Sequence, residues 1–197
     1  MENYVSFFVK LTFTTRENEW WADVRWRDYY DYYLNFIDLP ERFGDGAYNE
    51  VFWGQSSIRL TFNSISLGVS TENLWWGPGM RNSLIMTNSA PGFTHITLNT
   101  VKPLKTIIGS FEGQVIAGWL KSSGFMPPGS NPPHLDWEKY YAPKLDGGRY
   151  INGMILSYQP KWVPGLFLGL IRSFQVYHKD MGEEFIDYLP IFSSIKI

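Results

Sequence analysis

The chain has 197 residues, a formal net charge of −2, no cysteine and a large aromatic share of 18%. The lack of cysteine excludes disulfides, thiolate metal sites and a cysteine nucleophile, and the small net charge gives no reason to expect a nucleic-acid partner. Ample glycine and proline, 18 and 12 residues, favour short strands and turns over helices.

The first segment has the two-residue periodicity that is typical of a strand. Its apolar side carries Val5, Phe7, Val9, Leu11 and Phe13. A second alternating segment, 20–27, follows the polar residues 16–19, so the two segments are predicted to form an antiparallel hairpin. Residues 28–50 lack clean periodicity and are predicted to be a long loop.

Further strands are predicted along the rest of the chain. Apolar and polar residues alternate on both sides of Asn63–Ser64, which predicts a second hairpin with a tight turn there. The other predicted strands are 93–98, 106–119, 150–158 and 166–174, of which the last two are predicted to form another hairpin. The tail 177–197 is predicted to be loop with one further strand. With about eight to ten strands and no amphipathic helix, the chain is predicted to be an all-β antiparallel meander in a single domain, 1–197.

The spacing of the strands favours a transmembrane barrel. Long connections at 28–50, 71–92 and 121–149 alternate with short turns at 16–19 and 63–64, as in outer-membrane barrels. Aromatic residues near the predicted strand ends would form interfacial girdles. These residues are Trp20, Trp21, Trp26, Trp119, Tyr150 and Tyr158. On pattern alone, the alternative is a soluble β-sandwich whose aromatic residues fill a core.

Two motifs stand close together in the middle of the chain. WWGPG occupies residues 75–79, and TNSAPGF occupies residues 87–93 and runs into a predicted strand. With this pair of motifs the chain resembles the capsule-assembly Wzi family. The segments Lys102–Pro103, Phe111–Gln114 and Arg149–Gly153 are also similar to that family, and the resemblance extends over most of the chain.

The resemblance implies a closed outer-membrane β-barrel of on the order of 18 strands. It implies a lectin and not an enzyme, without a cofactor, that binds capsular or extracellular polysaccharide and aids its attachment at the bacterial surface. Its partners would be polysaccharide and outer-membrane lipid, and the full-length barrel would be a monomer. This chain is too short for such a barrel and shows no signal peptide, so we expect it to be an internal or truncated fragment.

Aromatic and polar residues in the long connections are the candidate carbohydrate ligands. They are Trp75, Trp76, Arg81, Asn82, Asn88, Trp137 and Tyr140. Aromatic rings stack on the apolar face of a sugar, and Arg and Asn bind hydroxyls. For the tryptophan pair, a structural role under the Gly77–Gly79 turn is the favoured alternative. Residues 121–149 are predicted either to contact carbohydrate or to plug the barrel mouth.

The rival hypothesis is a soluble β-rich carbohydrate-active enzyme. Glycosidase chemistry needs two carboxyl groups about 5–10 Å apart across the scissile bond. The candidate pairs are Asp136 with Glu138 and Glu183 with Glu184. The histidines, at 95, 134 and 178, lack ligand spacing, so no metal site is predicted.

Overall fold

The computed structural model describes residues 3–9, 12–16, 48–88, 91–121, 147–182, 185–189 and 191. These residues form antiparallel strands and two short 3-10 helices, with no α-helix among them. No helix in this part of the chain is long and apolar enough to span a membrane. The chain divides into two compact units, and the single partial barrel domain over residues 1–197 stays a prediction.

The strands of the described residues confirm the all-β meander. They are β1 (Asn3–Phe8), β2 (Thr12–Arg16), β3 (Tyr48–Phe52), β4 (Ser57–Phe62), β5 (Ile65–Ser70), β6 (His95–Thr100), β7 (Leu104–Lys105), β8 (Gly109–Leu120), β9 (Arg149–Pro160) and β10 (Leu168–Tyr177). The larger unit holds an eight-stranded antiparallel sheet in the order β1-β4-β5-β6-β8-β9-β10, with β7 also paired to β8. The smaller unit holds the two-stranded sheet of β2 and β3.

The first predicted strand is described, but its predicted hairpin partner is not. The alternating segment is divided into β1 and β2; β1 pairs with β4 and β2 pairs with β3, and a pairing with residues 20–27 stays a prediction. In β1, Val5 lies opposite Leu60 and Phe7 lies opposite Ile58, so apolar residues meet across the strands. Alternation therefore predicted strands in this segment. Which strand each of them pairs with depends on long-range contacts that no local pattern reveals. Residues 20–27 lie outside the described part of the chain.

Two other predicted hairpins are confirmed. β4 and β5 pair in register around a two-residue turn, where Asn63 has a φ of 57°, a conformation that Asn tolerates better than most residues. β9 and β10 pair over the full length of β10 around the turn 161–167. The predicted strand 106–119 starts later, at Gly109, because Thr106 donates its backbone N–H to the Gly109 carbonyl in a turn.

The pairing register gives the large sheet an apolar face. Directly opposite residues in antiparallel strands point to the same side, and Leu60, Leu67 and Leu98 follow one another across β4, β5 and β6. The other exposed apolar side chains of this face include Val5, Phe7, Ile58, Phe62, Ile65, Val69, Ile96, Leu156, Leu168 and Leu170. Val5 and Phe7 are each 68% exposed, so neither is covered by a second layer.

The opposite, polar face carries small and hydrophilic side chains. On β4, β5 and β6 these include Ser57, Arg59, Thr61, Ser66, Ser70, His95, Thr97 and Asn99. Segment 71–94, which joins β5 to β6, packs against the β8–β9 part of this face. Leu74, Trp76 and Ile116 form a buried apolar cluster there. The sheet is therefore apolar on one side, and on the other it is polar with one local core.

Connections of different length leave the large sheet at its two ends. The short turns 63–64, 106–108 and 161–167 lie at one end, and segment 71–94 joins β5 to β6 at the other, where β8 ends and β9 begins. The predicted short turn 63–64 and long connection 71–92 are therefore at opposite ends of the sheet, whereas the predicted segments 16–19, 28–50 and 121–149 lie largely outside the described residues. The end with segment 71–94 is called the long-loop end below.

The C-terminal part of the described chain covers two polar side chains on the apolar face. Asn152 on β9 accepts a hydrogen bond from the Ile191 N–H at 3.4 Å, and Arg172 on β10 donates to the Ile191 carbonyl at 2.7 Å. These bonds satisfy groups that would be costly next to an apolar surface. The tail was predicted as loop with one further strand, but its described residues form 3-10 turns at His178–Asp180 and Phe185–Tyr188.

Candidate functional site

A cleft of about 460 Å³ opens on the polar face of the large sheet. It lies within the size range of small-molecule sites, about 300–1,000 Å³. β4, β6, β8 and β9 form its floor, and segment 71–94 forms a wall. The side chains that line it include Arg59, Trp75, Trp76, Asn99, Glu112 and Gln114. Aromatic and hydrogen-bonding groups therefore meet in one concave surface.

Trp76 has a mainly structural role. It is 2% exposed, and its ring lies so close to Gly153 that a Cβ there would come within 2.7 Å of it. The indole Nε1 donates to Gln114 Oε1 at 2.9 Å, and backbone hydrogen bonds with Ile85 close the loop between them. Neither face of this buried ring is open to a sugar. Trp76 therefore has the structural role that the sequence analysis favoured, and it contributes only an edge to the cleft.

Trp75 is placed differently from its neighbour. Its side chain is 39% exposed and lines the cleft, and its Nε1 donates to the Gly79 carbonyl at 2.7 Å. Gly77, which lies between Trp75 and Gly79, has a φ of +120°, which residues with a Cβ rarely adopt. The WWGPG motif thus makes a tight turn that buries one tryptophan and holds the other in a fixed, partly open position.

The remaining predicted carbohydrate ligands do not gather around this cleft. Arg81, Asn82 and Asn88 are exposed, and none of them lines it. Trp137 and Tyr140 lie outside the described residues, as does the whole of 122–146. A role in binding stays a prediction for these five residues.

An ion pair anchors one side of the cleft. Arg59 donates to the Glu72 carboxylate and, at 2.8 Å, to Asn99 Oδ1. Glu72 also accepts hydrogen bonds from the hydroxyls of Ser70 and Ser57. Burial acts to raise the pKa of Glu72, but the Arg59 bond and charge and the two hydroxyls outweigh it and hold this pKa below its usual value. The carboxylate is thus ionised at neutral pH and balances the charge of Arg59.

Hydrogen bonds within the protein hold the amide side chains of the floor. Gln114 Nε2 donates to Thr97 Oγ1 at 3.0 Å, while its Oε1 accepts from Trp76. Asn99 Nδ2 donates to the Thr100 carbonyl at 3.2 Å. These contacts fix the orientation of both amides, so a ligand would meet a preorganised surface.

Sequence reasoning missed the polar residues of the cleft, among them Arg59, Asn99, Glu112 and Gln114. They stand at alternate positions of β4, β6 and β8, on the side opposite the apolar residues. The alternation was visible in the sequence, but it does not show which polar residues of separate strands become neighbours. The predicted meander order, which places β4, β5, β6 and β8 side by side, was the signal that would have grouped them.

Histidines provide no metal centre in the described part of the chain, where no group of three or more His, Asp or Glu side chains could hold a metal ion. His95 is buried; its Nδ1 lies 2.8 Å from the Phe93 carbonyl, and its Nε2 has no hydrogen-bond partner among the described residues. His178 packs edge-on against Trp119. His134 lies outside the described residues.

No family model, no curated protein and no solved structure matches this chain. The resemblance to the Wzi family therefore stays a prediction from the motifs at 75–79 and 87–93. The acidic pairs proposed for a glycosidase also stay predictions, because they lie in 122–146 and at 183–184, outside the described residues.

Proposed function

We propose that this chain forms part of the wall of an outer-membrane β-barrel that binds capsular or extracellular polysaccharide without catalysing a reaction. The observation that carries the proposal is the exposed apolar face of the large sheet, opposite a polar face. Large contiguous apolar surfaces mark membrane or protein interfaces. Strands that alternate between apolar and polar residues in this way are typical of membrane barrels.

Aromatic pairs on the apolar face support a membrane-spanning orientation. Phe111 stacks on Tyr158 with ring centroids 4.6 Å apart near the short-turn end, and Trp119 packs on Tyr150 at 5.0 Å near the long-loop end. Residues 111 and 119 are about 26 Å apart along β8, at about 3.3 Å per residue. Outer-membrane barrels carry aromatic girdles on both sides of an apolar band about 25 Å tall.

The strand edges support the view that the sheet is one section of a larger barrel. Among the described residues, β1 pairs only with β4, and β10 pairs only with β9. Open edges are not tolerated in lipid, because unpaired backbone groups there cost several kcal/mol each. We therefore propose that further strands complete these edges, in a barrel of on the order of 18 strands as the family resemblance implies.

The contents of the cleft favour binding over catalysis. Trp75 offers a fixed and partly exposed aromatic ring, and Asn99 and Gln114 offer oriented amides. Glu112 is the sole carboxylate among the described residues that line the cleft, whereas glycosidases ordinarily use a pair. Several such weak contacts along a repeating polymer would add up through multivalency.

Vesicle flotation tests the membrane part of the proposal. The full chain is refolded from urea with phosphatidylcholine vesicles, and we expect it to float with them. The double variant Leu67→Ser/Leu98→Ser removes apolar area from the sheet and should float less. The control Met80→Ser/Leu84→Ser changes two exposed apolar residues outside the sheet and should float like the wild type.

The same experiment also has an outcome that contradicts the proposal. A chain that folds to a strand-rich monomer in buffer, stays at the bottom of the gradient and shows no difference between the two double variants would overturn the membrane assignment.

A further inference from the structure

We infer that the cleft on the polar face selects sugar rings that are neutral or carry an amino group, and that it disfavours uronic acids. The inference rests on the proposed polysaccharide binding and names the class of sugar that this cleft would accept. It is carried by the distribution of charge around Trp75.

The positive charge of the cleft is already compensated. Arg59 is bound to the Glu72 carboxylate and to Asn99, so two of its donor directions are used within the protein. An acidic sugar would have to compete with Glu72 for the guanidinium. Arg59 is therefore a positioning residue for Asn99 and a poor anchor for a second anion.

The negative charge of the cleft is not compensated. Glu112 is exposed and lines the cleft, and no hydrogen bond or ion pair joins its carboxylate to another residue that the structure describes. Ser157 lies directly opposite it in the β8–β9 pairing and also lines the cleft. Together they offer a free carboxylate and a hydroxyl next to one another.

The chemistry of these groups sets the preference. A carboxylate accepts hydrogen bonds from sugar hydroxyls and forms stronger, charge-assisted bonds with an ammonium group. It repels the carboxylate of a uronic acid, and like-charge contact is a common device for rejecting a wrong ligand. Trp75 would stack on any of these rings, since stacking depends on the apolar sugar face and not on charge.

The test compares three soluble hexasaccharides of different charge by isothermal titration with the full chain in detergent micelles. They are a glucosamine hexamer, its neutral N-acetylated form and a galacturonic acid hexamer. We expect the galacturonate to bind most weakly. Glu112→Gln should weaken glucosamine binding by about 2- to 5-fold and strengthen galacturonate binding by a similar factor, the range for an exposed ion pair. Asp180→Asn removes an exposed carboxylate outside the cleft and should change neither.

A second pair of variants separates this inference from the proposed function. Trp75→Ala should weaken all three sugars by about 2- to 10-fold through lost stacking, whereas Trp162→Ala, an exposed tryptophan in the β9–β10 turn, should not. If no sugar binds, both the polysaccharide role and the inference are wrong. If the sugars bind and respond to Trp75→Ala but Glu112→Gln leaves the affinities for glucosamine and galacturonate unchanged, the charge selectivity alone is wrong.

Discussion

Gly153 allows the buried tryptophan of the WWGPG motif to rest directly on the sheet. The ring of Trp76 covers the backbone of β9 at this position, next to Ile116 on β8. Because interiors are close-packed, a side chain at 153 has no room unless the ring moves. The position of Trp76 in turn determines that of the loop and of Trp75, so a single glycine supports the wall of the cleft.

Gly153→Ala is therefore expected to lower the free energy of unfolding by about 1–3 kcal/mol, the usual cost of overpacking. Its Cβ would lie 2.7 Å from the Trp76 ring, closer than real contacts allow. Gly169→Ala on β10 is the matched control, since a Cβ there meets nothing within 4 Å. Urea unfolding in micelles, followed by circular dichroism, measures both variants. Equal midpoints would show that the ring does not pack as described.

The cleft was only partly predictable at this scale. Trp75 and Trp76 stand in a local motif, and the sequence correctly suggested a tight turn after them. The sequence did not distinguish the buried ring from the exposed one, because that depends on which ring faces Gly153, 77 positions later in the chain. Glu112 stands in the family-like segment Phe111–Gln114, but that segment did not mark it as a site residue, and only the strand pairing places it beside Ser157.

The β4–β5 hairpin shows what can be derived at the scale of an element. Alternation on both sides of a two-residue polar turn predicted its strands and its register, because both depend on neighbouring residues. The pairing of β1 with β4 depends on residues about fifty positions apart, and no local pattern encodes it. Local hairpins were therefore predictable here, whereas the long-range strand pair was not.

The turn of this hairpin should be sensitive to substitution at its first residue. Asn63 has a positive φ, whereas Ser64 is not among the positive-φ residues. A β-branched residue is strained at positive φ, so Asn63→Val should lower the free energy of unfolding by about 1–2 kcal/mol. Ser64→Val should cost less, and Asn63→Gly should be neutral or stabilising. The unfolding midpoints of the three variants measure these effects. Equal midpoints for Asn63→Val and Ser64→Val would contradict the turn geometry.

The two faces of the sheet govern the behaviour of the molecule as a whole. Mostly large apolar residues occupy every second position of β4, β5 and β6 on one side, and mostly small or hydrophilic residues occupy the other. A water-soluble sandwich would cover the apolar side with a second sheet, but Leu67 and Val69 at the centre of this side are each 48% exposed. Under the proposed function the partner of this face is hydrocarbon, and hydrocarbon and another protein would respond differently to a charge placed on it.

Arginine scanning along β5 distinguishes these two partners. Ile65, Leu67 and Val69 are similar in size and exposure and all lie on the apolar face, with Ile65 nearest the short turn. In a bilayer, the cost of an arginine peaks at about 2–4 kcal/mol at the midplane and falls to about 0–1 kcal/mol near the interface. We therefore expect Leu67→Arg to reduce folding into vesicles more than Ile65→Arg, as measured by urea titration of the vesicle-bound protein. A protein partner imposes no such dependence on depth, so equal losses at all three positions would contradict the membrane assignment and leave a protein partner as the alternative.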